Sequence, residues 1–165
     1  MVDSFSFPFI PIKIGVDTIL RPLIECTLEY KGKTIKVYLL VDSGADFSML
    51  RREVARDGLG IDLASLPVAG TTGGVGGETK VAFLEMNVSF NMGKKKYEQR
   101  IPFQVSLDES TDLPECLLGR IPFFYDFRIC FRMGYTDDPS LGKFTLYYEE
   151  KKRSAERYRR PPTYG

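Results

Sequence analysis

Apolar and polar residues alternate along most of this chain, and a period of two predicts short strands rather than helices. Ile35, Val37, Leu39 and Val41 fall on one face of a run, with Lys36, Tyr38 and Leu40 on the other. Leu23 to Tyr30 forms a similar run, and Lys31-Gly32-Lys33 between the two predicts a β-hairpin whose second strand delivers Asp42 at its end. Downstream, Ala82, Leu84, Met86, Val88 and Phe90 line one face of a strand over residues 79–91. Tyr97, Gln99, Ile101, Phe103 and Val105 line another, which Pro102 pushes toward a sheet edge. Cys116 to Arg120 is a short buried run, and Arg128 to Met133 and Lys143 to Tyr148 complete the alternating segments.

Two short helices interrupt this pattern. Ser48 is placed to cap the first, Leu50 and Val54 share its face and Gly58 ends it; Pro122 suits the first turn of the second, which runs to about Phe127. Short strands at regular spacing with so little helix predict an all-β barrel or folded sandwich. Residues 1–19, with Phe5, Phe7 and Phe9 in strict alternation beside Pro8 and Pro11, read as an extended N-terminal arm able to pair at a sheet edge. The domain proper then covers 20–149. Residues 150–165 carry Lys151, Lys152, Arg153, Arg157, Arg159 and Arg160 without apolar periodicity, and read as a basic, disordered tail.

Composition narrows the chemistry. At 165 residues, 43% of them hydrophobic, the chain fits one domain and is too short for two lobes. Its 23 basic and 22 acidic residues leave a net charge of +1, which gives no expectation of nucleic-acid binding. The sequence contains no histidine, which excludes Ser-His-Asp and Cys-His nucleophiles and any histidine-ligated metal. Cys26, Cys116 and Cys130 are odd in number, scattered and set among apolar residues, so free core thiols in a reducing, cytoplasmic setting are expected rather than disulfides or a metal cluster. No apolar run is long enough for a membrane span, and the N-terminus does not read as a secretory signal. No metal or cofactor is expected.

Two segments stand out against this background. Asp42-Ser43-Gly44 places a carboxylate at the end of an apolar strand, where lost hydration is tolerable only with hydrogen-bond donors nearby or a shared proton. Ser43 can donate and accept, and Gly44 admits close approach of another backbone or a ligand, although the tripeptide is also ordinary Asx-turn chemistry. Gly70 to Gly77 has too many glycines to pack a core and lacks the Gly-Lys-Ser/Thr ending of a phosphate-binding loop. It is either a mobile functional hairpin or a floppy surface one.

Leu39-Leu40-Val41-Asp42-Ser43-Gly44-Ala45-Asp46, then the glycine-rich stretch, then Leu117-Leu118-Gly119-Arg120, resembles in order and spacing the retroviral-type (retropepsin-like) aspartic proteases. The resemblance implies a closed, barrel-like all-β fold and a two-fold symmetric homodimer, because the chain has one Asp-Ser/Thr-Gly and the family's site needs two. It implies catalysis by Asp42 from each subunit within the Asp42-Ser43-Gly44 turn, Ser43 making the hydroxyl contact across the dimer that many relatives make with threonine. Gly73-Gly74-Val75-Gly76-Gly77 corresponds to the flap over bound peptide. Leu117, Leu118 and Gly119 would pack behind the catalytic turn, and Arg120 would pair with Asp46 as a structural ion pair. The activity implied is that of an aspartic endopeptidase acting on peptides or unfolded proteins. The alternative is a catalytically silent dimerisation or peptide-binding module on the same barrel.

Overall fold

A two-residue turn starts the barrel. Lys31 and Gly32 take φ of 48° and 80°, and this pair of positive values joins β4 (Leu23–Tyr30) to β5 (Lys33–Val41) with the twist that adjacent antiparallel strands need. The computed structural model describes residues 3–74, 77–109, 115–133 and 142–148, so the basic tail lies outside the described residues. From β5 the sheet continues through β10 (Cys116–Leu118), β6 (Ser48–Leu50), β9 (Lys95–Ser106) and β8 (Gly77–Met92). Thr27–Ser89, Leu28–Val88 and Glu29–Asn87 pair β4 with β8 and close the ring into a six-stranded barrel. Alternation decides what fills it. Leu28, Leu39, Met86, Ile101, Phe103 and Leu118 are buried in the interior, and the intervening positions of β8 and β9 are mostly exposed.

The chain's two ends form a second layer. β1 (Ser4–Pro8), β12 (Lys143–Tyr148) and β11 (Phe127–Arg132) make an antiparallel sheet with β1 at its edge. Phe7 stacks on Phe144 with centroids 5.2 Å apart, and Phe9 is buried in the core, so the phenylalanines of the N-terminal segment are covered rather than displayed. Between β1 and the barrel, β2 (Ile10–Ile14) and β3 (Asp17–Arg21) form a separate two-stranded hairpin that alternation did not reveal.

Four local readings are corrected. Ser48 is the first residue of β6, not a helix cap; the helical turn lies later, a π-type turn over Val54–Gly58 that does end at Gly58. The segment after Pro122 is a single 3₁₀ turn, Phe123–Tyr125, and Phe127 already belongs to β11. Pro102 does not make β9 an edge strand, since Phe103–Val105 pairs with β6; it sits just before that pairing begins. Cys26 and Cys116 are buried free thiols, but Cys130 is exposed on β11.

Candidate active site

Asp42 sits where β5 leaves the barrel. Val41 N–H donates to the Pro22 carbonyl at 3.0 Å and Asp42 N–H to the Leu118 carbonyl at 3.1 Å, so the carboxylate's backbone is held from both sides. Its Oδ1 accepts the Gly44 N–H at 2.8 Å, an Asx turn that fixes the direction of the side chain. A Cβ on Gly44 would stand 3.2 Å from that oxygen. Asp42 is half-buried and Ser43 and Gly44 are exposed, so the desolvation expected of a strand-end acid is only partial here.

Behind the turn runs β10, parallel to β5 with Leu117 opposite Leu40 and Leu118 opposite Val41. The crossing continues beyond the strand. Arg120 N–H donates to the Ala45 carbonyl at 2.9 Å, Ile121 N–H to the Asp46 carbonyl at 2.8 Å, and Phe47 bridges to Ile121. The backbones approach most closely at Gly119, where a Cβ would lie 2.4 Å from the carbonyl carbon and oxygen of Phe47 and 2.9 Å from Ser48 N. Only glycine fits there without moving main chain. Gly119 N–H donates to the fully buried Ser48 hydroxyl at 3.1 Å, a role for Ser48 that spacing did not reveal; in β6 it shares its inward face with the buried Leu50.

Arg120 pairs with the Asp46 carboxylate within this chain, and both side chains are more than half exposed. Exposed pairs contribute little, so a double-mutant cycle of Asp46→Ala and Arg120→Ala in urea is expected to give a coupling below about 1 kcal/mol. A coupling of about 3 kcal/mol would place the pair in a desolvated environment.

The glycine-rich stretch is a hairpin. β7 (Gly70–Gly74) pairs with the start of β8 from Gly70–Val81 to Gly74–Gly77; Val75 and Gly76 lie outside the described residues. Phe47, at the end of the Asp42 loop, meets Phe83 of β8 edge-to-face at 5.3 Å, which joins the loop to the strand that carries the hairpin. At the hairpin's root lies a polar cluster that sequence reading did not find, because its members are far apart in the chain. Asp108 Oδ2 accepts Thr79 Oγ1–H and Lys80 N–H, each at 2.9 Å, and these two donors hold the carboxyl below its ordinary range.

Other nucleophiles recede. Burial pushes the Cys26 and Cys116 thiols up, keeping both neutral, and among the described residues no cluster of His, Cys, Asp or Glu could hold a metal ion. A closed six-stranded barrel whose strand-end acid is backed by a parallel glycine crossing defines the retropepsin-like class of fold. The sequence profile described as "Aspartyl protease" matches residues 26–120, more than half of the chain, and the protein belongs to that family. Among solved structures, a retropepsin-like aspartic protease from Rickettsia conorii is similar over 90% of this chain and 96% of its own, with 24% identity and a TM-score of 0.53, a likeness of fold. No protein of curated function matches the chain significantly. No helix among the described residues is long and apolar enough to cross a membrane.

Proposed function

We propose that the chain is an aspartic endopeptidase that works as a homodimer, each subunit contributing one Asp42. The observation that carries this reading is the held Asp42-Ser43-Gly44 turn, with its carboxylate oriented by Gly44 N–H and its backbone clamped to Leu118. One subunit offers one such acid, half exposed, whereas peptide hydrolysis without metal or histidine requires a base and an acid together. Two facing carboxylates hold one proton between them. The ionised one takes a proton from water as it attacks the peptide carbonyl, and the protonated one gives its proton to the carbonyl oxygen. In this reading Ser43 bridges the subunits, Asp46 and Arg120 brace the turn, Leu118 and Gly119 support it from behind, and the hairpin with Gly73, Gly74, Val75, Gly76 and Gly77 closes over an extended substrate.

Support for assembly comes from the β2–β3 hairpin. Ile10, Ile12, Ile14 and Ile19 share one of its faces, with Ile14 50% and Ile19 40% exposed, while Val16 at its tip is fully exposed. Two-stranded hairpins are marginal by themselves. This one is rooted at Pro22, whose carbonyl accepts Val41 N–H one residue before Asp42, and its partly exposed apolar face is of the kind that assembly would cover. Sedimentation at micromolar concentration is expected to give a dimer; a strictly monomeric protein that cleaves peptide at full rate would contradict the shared site. The activity itself is tested by incubation with an unstructured protein, which the wild type should cleave and a folded Asp42→Asn variant should not.

A further inference from the structure

The polar cluster at the hairpin's root answers a geometric problem. β9 ends at Ser106, paired with Val81, so beyond Val81 the β8 edge that faced β9 loses its strand partner. Lys80 is the next residue whose main-chain groups point to that side, and both are satisfied. Its carbonyl accepts Leu107 N–H at 2.8 Å, and its N–H goes to the Asp108 carboxylate instead of a strand carbonyl. The side chain thus completes one more rung of the ladder. The same oxygen accepts Thr79 Oγ1–H, which leaves the Ser106 hydroxyl, 2.9 Å from Thr79 Oγ1, to donate to it. Ser106 Oγ can in turn accept Asp108 N–H at 3.3 Å, closing a cycle through Thr79, Ser106 and Asp108. Thr79 and Ser106 are buried, and Arg52 donates to the Ser106 carbonyl at 2.8 Å from the far side.

We propose that Asp108 is a positioning residue that clips the root of the glycine-rich hairpin, setting the hinge beyond Lys80 so that only the hairpin outside it moves during a catalytic cycle. The kinetic part rests on the reading of the hairpin as a flap; the clip itself does not. A carboxylate suits this place because one of its oxygens takes two donors, and charge strengthens both bonds. Lys80 on β8 and Arg52 on the helical segment favour the ionised form, while the neighbouring Glu109 lies mostly in solvent, 4.0 Å from Arg52. Because the folded pKa is depressed, the clip's stabilisation is complete above the unfolded value and is lost as pH falls through the folded one.

Amide hydrogen exchange and steady-state kinetics on Asp108→Ala, Asp108→Asn and Thr79→Val test this together. Asp108→Ala should speed exchange at Lys80 and along Thr71 to Thr79 by about tenfold or more while the β4 and β5 core amides hold their protection. It should also raise KM for a peptide about tenfold with kcat within about threefold, since a looser hairpin must be ordered each time substrate binds. Asp108→Asn, which keeps one acceptor, should recover part of both effects, and Thr79→Val should give a smaller version of the alanine phenotype. Unchanged exchange at Lys80, or equal acceleration of the β4 and β5 core, would overturn the clip. A freed hairpin with unchanged KM would overturn its role in positioning. Should the wild type cleave nothing, the protease reading fails while the exchange data still decide the clip.

Discussion

Asp42→Asn is expected to lower cleavage by about a thousandfold or more while leaving the protein folded and its assembly intact or tighter. The substitution is nearly isosteric. Asparagine can still accept the Gly44 N–H through its amide oxygen, so the Asx turn survives, and the main-chain bonds from Val41 to Pro22 and from Asp42 to Leu118 are untouched. Lost is the ionisable group that takes the proton from attacking water. In the proposed homodimer the substitution replaces both acids and so removes their repulsion, and thermal stability should hold or rise. In the wild type, rate should fall on both sides of the pH range in which the pair holds a single proton. In the proposed dimer no base would remain on the acid side, and on the alkaline side no acid would remain and repulsion would loosen the pairing. Equal cleavage by folded mutant and wild type would leave a peptide-binding barrel without catalysis.

Gly119→Ala is expected to cost about 3 kcal/mol or more of stability. The Cβ would meet the main chain of Phe47 and Ser48 rather than a side chain that could swing away. Relief requires separating β10 from the Asp42 loop, which breaks the Gly119–Ser48 bond and strains those from Arg120 to Ala45 and Ile121 to Asp46. Urea denaturation should show a lower midpoint, and activity should be lost even where the protein stays folded, because Asp42 is aimed by the same crossing. An unfolding free energy within about 0.5 kcal/mol of wild type would mean that the loop yields freely and does not hold the acid.

Much of this was legible beforehand because the long strands repeat their period often enough to be read. β8 buries the alternating residues picked out from the sequence, β9 all but the half-buried Gln99, and β5 buries Leu39 and Val41 while Ile35 and Val37 are half-buried; Asp42 and Gly119 were marked by the residues around them. The three-residue strands β6 and β10 were harder. So short a strand has almost no period, and β6 exists because β10 and β9 flank it, which is why Ser48 looked like a helix cap. The β2–β3 hairpin was hidden for another reason: among the described residues its Ile face is only partly covered, with Ile14 and Ile19 exposed, so its pattern does not report a core. Cys130 was misplaced although parity held the answer. It alternates with Ile129 and Phe131 and shares a face with Arg128 and Arg132, which points it outward. The Asp108 cluster had no sequence signal at all, since Thr79, Ser106 and Asp108 meet only once β8 and β9 are paired.

The shared site is tested most directly by titrating wild type with folded Asp42→Asn protein at fixed wild-type concentration, the two chains being co-refolded so that subunits mix. If each site takes one Asp42 from each subunit, mixed dimers are inactive. A ninefold excess of mutant should then leave about a tenth of the activity. Activity that stays constant as mutant is added would show that one chain carries a complete site, and would contradict the account.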